Sequence, residues 1–226
     1  MEHPLAVIFD MDGVLVDTYH AHYRSWLRMA EPAGLTFTEA EFAPTFGRTS
    51  REIIATFWGA GRFSAAEIAA LDDQKEAAFR EIIAVDFPAM PGVHGLLQSL
   101  RQAGFALAIG SSGPPANVDV VLEKLGVRSL FGAVVTGSDV TRGKPDPQVF
   151  LLAAQRLGIP PARCAVVEDA PPGIAAAKAA GMAAIGLAST GRTRASLAAA
   201  DLIVDALAEL SPQRIRDLIA CKQGGS

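Results

Sequence analysis

Four apolar runs of strand length stop abruptly at acidic, small or hydroxyl residues. Leu5–Phe9 runs into Asp10-Met11-Asp12-Gly13, and Phe105–Ile109 into Gly110-Ser111-Ser112-Gly113. Cys164–Val167 runs into Glu168-Asp169-Ala170, and Met182–Leu187 into Ala188-Ser189-Thr190-Gly191. None of the four alternates apolar with polar residues, the pattern of strands covered on both faces. Between them lie amphipathic helix candidates at Val93–Ala103, Pro115–Leu125, Pro147–Leu157 and Gly173–Ala180. Shorter strands fit Ala133–Thr136 and Leu202–Val204. Strands alternating with helices predict a Rossmann-like α/β core on a mostly parallel sheet.

Residues 19–87 break that rhythm and read as helices around His20–Glu31, Arg51–Trp58, Ser64–Ala70 and Lys75–Ile83. Thr38 before Glu41 and Ser64 before Glu67 have capping-box spacing. The excursion leaves after the first strand and returns near Met90-Pro91-Gly92. The expected organisation is a discontinuous catalytic core, residues 1–18 and 88–226, with an inserted α-helical cap at 19–87. Ligands of open α/β sheets bind beyond the strand carboxyl ends, where the insert emerges, so it is expected to act as a lid. After the last long run, Arg192–Ala200 reads as a surface helix, and residues 224–226 as a flexible end.

Asp10 and Asp12, two residues apart on an extended segment, share a face. Like charges this close need a cation or a proton partner. Glu168-Asp169 ends a second buried run in the same way, so several carboxylates converge at one sheet edge. A hard divalent cation explains them, and Mg²⁺, which takes oxygen ligands and bridges carboxylates to phosphate, is the expected cofactor. No His/Cys set supports zinc. Ser111 offers a hydroxyl between glycines that allow close backbone approach. Lys144, between Gly143 and Pro145, is either a solvent-facing turn lysine or a cation turned toward phosphate.

In this order the motifs closely resemble the haloacid dehalogenase-like hydrolase superfamily, in its helical-cap phosphatase and β-phosphoglucomutase branch. The first motif is Asp10 through Thr18, the second centres on Ser111, the third on Lys144, and the fourth is Val167-Glu168-Asp169-Ala170 followed by Gly173. The resemblance implies that Asp10 is a nucleophile forming an aspartyl-phosphate and that Asp12 is the general acid and base. It also implies metal ligation by Asp10, by the Asp12 main-chain carbonyl and by Asp169, with Glu168 in support. Ser111 and Lys144 would hold the transferring phosphoryl group. Possible cap and substrate residues are Thr18, His22, Arg48, Arg51, Lys75 and Ser112.

The expected activity is magnesium-dependent hydrolysis of a small phosphate monoester, with β-phosphoglucomutase-like transfer on a sugar phosphate as the alternative. Gly113-Pro114 stands where the mutase pattern has a Ser-Lys pair, whereas His22 and Trp26 fit that pattern. The net charge of −4, with scattered Lys and Arg, points away from nucleic acid and anionic membranes. No apolar stretch is long enough for a bilayer and no signal-like start is visible, so a cytoplasmic location is expected. The resemblance implies a small phosphorylated metabolite as partner, and a monomer is mildly favoured, although the sequence does not fix the oligomeric state. Cys164 and Cys221 read as free thiols.

Overall fold

The computed structural model describes residues 4–58 and 61–224. The chain forms two units, one of Met1–Asp17 with Ala89–Ser226, the other of Thr18–Pro88.

The first unit is built on a six-stranded sheet, all of whose pairings are parallel. Its strands are β1 (Ala6–Phe9), β2 (Ala106–Gly110), β3 (Ala133–Val135), β4 (Cys164–Glu168), β5 (Ala183–Leu187) and β6 (Leu202–Val204), in the order β3-β2-β1-β4-β5-β6. All of β1 is buried, which explains its lack of alternation. Ala6 and Ile8 join one core with Val166, Phe150 and Ile174, while Val7 and Phe9, on the opposite face, are also fully buried. Each such Val, Ile or Phe contributes roughly 1.5–3 kcal/mol by leaving water. The strand order reverses at β1, where open α/β sheets leave a crevice at the carboxyl ends. Phe9 pairs with Ile109 on one side and Val167 on the other, so Asp10 comes next to both Gly110 and Glu168.

The second unit contains the helices α1 (Tyr19–Ala30), α2 (Glu39–Phe42), α3 (Ser50–Trp58) and α4 (Ala65–Val85), the inserted helical cap of the fold. Both expected capping boxes are present: the Thr38 hydroxyl accepts from the Glu41 N–H, and the Ser64 hydroxyl from the Glu67 N–H. The two helices expected on either side of residues 71–74 are one helix, α4. Leu71-Asp72-Asp73-Gln74 has no Gly or Pro to stop it, and Asp72 is held by Arg51 at 2.9 Å. The cap core is aromatic. Trp26, 1% exposed, packs on Phe37 and Trp58 with centroids 5.4 and 5.8 Å away.

The remaining helices are α5 (Val93–Gln102), α6 (Pro115–Leu125), α7 (Gln148–Leu157), α8 (Pro171–Ala179) and α9 (Pro212–Gly224). The helix expected at Arg192–Ala200 is instead a string of turns, such as Ser196 N–H to Thr193 O and Leu197 N–H to Arg194 O. These turns bury Leu197 against β5, where Gly186 leaves room for it. Of the end expected to be flexible, Gly224 closes α9, and residues 225–226 lie outside the described residues. Among the described residues no helix is long and apolar enough to cross a membrane.

Candidate active site

The site is made by residues that end strands. Asp10 follows β1, Glu168 closes β4 and Asp169 comes next, and their carboxylates each bring an oxygen within 4.8 Å of the others. Lys144 comes from the loop before α7, and its Nζ donates to Asp10 Oδ1 at 2.8 Å and to Glu168 Oε1 at 2.7 Å. This lysine is not a solvent-facing turn residue, since its side chain is 5% exposed. Its Nζ also lies 4.9 Å from the centre of the Phe150 ring, a cation–π distance.

Glu168 is held from two further directions. Its Oε2 accepts the Ala170 N–H at 2.8 Å, and Gly173 faces it so closely that an added Cβ would lie 1.8 Å from Oε1. Gly13 makes similar room for Asp169. A Cβ there would lie 2.4 Å from Oδ2, and its φ of +76° is in the left-handed region that favours glycine. Asp169 Oδ2 accepts from Arg192 Nε at 3.1 Å.

The second loop lies against the first. Ser111, 1% exposed, accepts the Gly113 N–H on its Oγ at 3.0 Å. A Cβ on Gly113 would lie 3.3 Å from Ser111 Oγ and 3.9 Å from Asp12 Oδ2. Asp12 is thus near Ser111 and outside the three-carboxylate cluster. Ser112, half-buried, lies between Ser111 and Gly113.

The electrostatics expose an imbalance. Burial pushes the Asp10 carboxyl up to about 7, helped by Glu168 and Asp12 and opposed by Lys144. Burial and the Glu168 and Asp10 charges likewise raise Asp169, against the pull of Arg192. Burial disfavours the Lys144 charge, but Asp10 and Glu168 outweigh it and hold the amine above its ordinary value. Three buried carboxylates facing Lys144 and Arg192 are therefore short of positive charge. The all-oxygen donor set fits a hard divalent cation, and no thiol or imidazole joins it among the described residues.

The cap residues form a set within their own unit. Thr18, fully buried, precedes α1, and its carbonyl accepts the His22 N–H at 2.9 Å. His22 stacks on Phe79 with centroids 4.0 Å apart, and Lys75 Nζ is 2.8 Å from its Nδ1. Lys75, 2% exposed, also bonds Glu76 at 2.9 Å, whose carboxylate takes the Ser50 hydroxyl at 2.6 Å. Burial pushes Glu76 up, yet Lys75, His22 and Ser50 together hold it below its usual value. Arg48 and Arg51 do not join this chain: Arg48 is 3.3 Å from the Thr56 hydroxyl, and Arg51 pairs with Asp72.

Sequence reasoning missed Glu76 and Arg192. For Arg192 a signal existed, because the fourth apolar run ends in small and hydroxyl residues as the others do, with the arginine directly after them.

Comparison with known proteins agrees with this geometry. The family model of haloacid dehalogenase-like hydrolases matches residues 4–181. The chain is 34% identical over 218 residues to a β-phosphoglucomutase of Bacillus subtilis, covering 94% of both chains. It is also 34% identical over 210 residues to validoxylamine A 7'-phosphate phosphatase of Streptomyces hygroscopicus, covering 90% of this chain and 94% of the relative. Equal identity to a mutase and a phosphatase means that identity does not choose between them. The crystal structure of β-phosphoglucomutase from Clostridium difficile superposes with a TM-score of 0.87 at 26% identity, over 96% of this chain and 98% of that one. The protein is a phosphoryl-transfer enzyme built around the Asp10, Glu168 and Asp169 cluster. It belongs to the haloacid dehalogenase-like hydrolase superfamily, in the helical-cap branch of phosphatases and β-phosphoglucomutases.

Proposed function

We propose that the protein hydrolyses phosphate monoesters of small metabolites with Mg²⁺, carrying the phosphoryl group on Asp10. The observation that carries this reading is the Lys144 bridge, which fixes one Asp10 oxygen at 2.8 Å while binding Glu168 at 2.7 Å. A carboxylate held beside a fixed cation can approach an anionic phosphoryl group that would otherwise repel it. Asp10 attacks phosphorus as the ester P–O bond breaks, and Asp12 gives its proton to the leaving oxygen. Asp12 then takes a proton from the water that attacks the aspartyl-phosphate, which releases phosphate and restores Asp10. Ser111 and Lys144 hold the phosphoryl oxygens through both displacements. Asp10, Asp169 and the Asp12 carbonyl, with Glu168 in support, would hold Mg²⁺, which would supply charge neutralisation at those oxygens.

Hydrolysis is preferred to isomerisation because Gly113-Pro114 adds no side-chain donor beside Ser111 for a second phosphate. The His22–Lys75 pair in the cap, together with the mutase relative, favours the second reading, transfer on a sugar phosphate through a bisphosphate. Thr18, Arg48, Arg51 and Ser112 are proposed substrate-side residues under either reading. A panel of sugar phosphates, phosphoglycolate and nucleotides, assayed with and without Mg²⁺, tests the proposal by phosphate release. β-Glucose 1-phosphate with a bisphosphate activator separates the two readings: isomerisation faster than phosphate release would reverse the preference.

A further inference from the structure

Arg192 has no part in the chemistry above, yet it reaches the site. Its side chain is 10% exposed and that of Asp169 is 2% exposed, so this is a desolvated pair. The Arg194–Asp205 pair two residues on has side chains 55% and 63% exposed, in the range where ion pairs contribute little. The segment carrying Arg192 is itself tied down. The Ala188 N–H bonds Val204 O, the Arg192 N–H bonds Ser189 O, and the Thr190 hydroxyl donates to the Asp17 carboxylate.

The contact uses one carboxylate oxygen. Arg192 Nε donates to Asp169 Oδ2, the same oxygen that lies against Gly13. Gly13 leaves the space and Arg192 supplies the donor, so together they define where Oδ2 sits and leave Oδ1 to other partners. A carboxylate that ligates a metal gains affinity when a hydrogen-bond donor fixes its orientation, and a guanidinium is a permanent, weakly hydrated donor suited to a buried place.

We propose that Arg192 is a positioning residue for the cation site, orienting Asp169 through Oδ2. This rests on the metal-dependent reading above. Mn²⁺ binding to the whole protein, measured calorimetrically, tests it. R192Q is expected to bind Mn²⁺ roughly 10- to 100-fold more weakly than the wild type. R194Q, which alters the exposed pair with Asp205 and the Arg194 bond to the Ile203 carbonyl, neither of which involves Asp169, is expected to bind as the wild type does. R192K keeps the charge and loses the guanidinium geometry, so a smaller, several-fold loss is expected; it carries the test alone if R192Q does not fold by circular dichroism. Wild-type or tighter Mn²⁺ affinity in the folded Arg192 variant overturns the inference and leaves the metal site standing. Failure of the wild type to bind Mn²⁺ overturns the metal site itself and the inference with it.

Discussion

Gly173 and Gly95 both occupy the third position of their helices, α8 and α5, and alanine there should act in opposite directions. Helix propensity favours Ala over Gly by about 1 kcal/mol, so Gly95→Ala, with nothing within 4 Å of the new Cβ, should stabilise by up to that amount. At Gly173 the new Cβ would lie 1.8 Å from Glu168 Oε1 and 1.9 Å from Cδ. Restoring ordinary contact requires the carboxylate to move by roughly 1.5 Å. Glu168 is 1% exposed and bound to Lys144 at 2.7 Å and to the Ala170 N–H at 2.8 Å, so such a shift breaks both bonds. Breaking a buried ion pair costs about 3–5 kcal/mol. Set against the propensity gain, Gly173→Ala should lose about 2–4 kcal/mol, a fall in Tm on the order of 5–15 °C. Urea and thermal denaturation followed by far-UV circular dichroism measure it. Both tryptophans, Trp26 and Trp58, lie in the cap, so their fluorescence is a poor reporter of this change in the sheet unit. A Gly173→Ala protein as stable as the wild type would refute the claim that Glu168 dictates this glycine.

Other consequences follow from the same contacts. Lys144→Met should lower turnover by about 10²-fold or more, because a fixed cation is lost from the phosphoryl oxygens; phosphate-release kinetics on the folded variant check it. Chelation by EDTA should abolish phosphate release and readdition of Mg²⁺ should restore it, whereas turnover that persists in EDTA contradicts the metal-dependent reading. The Cys164 thiol, pushed up to about 12 by burial, should resist alkylation at pH 8 while exposed Cys221 reacts. Native protein should therefore titrate one thiol, and protein unfolded in urea two.

The strands were legible because their residues are buried on both faces, which removes the polar alternation and leaves runs such as Ala6–Phe9 and Cys164–Val167 bounded by a change of chemistry. Glu168-Asp169 was legible for the same reason, as charge where the core should continue. What was hidden depends on distance along the chain. The Arg192–Asp169 pair spans 23 residues. The end of the fourth apolar run marks a loop at the sheet edge, but the partner Arg192 meets there is set by the parallel pairing of β4 with β5 and not by the local sequence. The Ser50–Glu76 bond spans 26 residues and joins two helices whose exposed faces read as ordinary polar surface. Residues 71–74 looked like a helix break because two aspartates are weak helix formers, but Arg51 gives Asp72 a partner and packing carries α4 through. Arg192–Ala200 has helix-forming composition, yet burial of Leu197 beside Gly186 favours turns.

The central claim is that Asp10 accepts the phosphoryl group. Phosphate release by Asp10→Asn and by the wild type, measured in parallel with Mg²⁺ on a substrate that the wild type turns over, tests it most directly. Asn at this position keeps the shape and removes the attacking carboxylate, so the account predicts loss of turnover with the fold intact. Undiminished turnover by Asp10→Asn would contradict it.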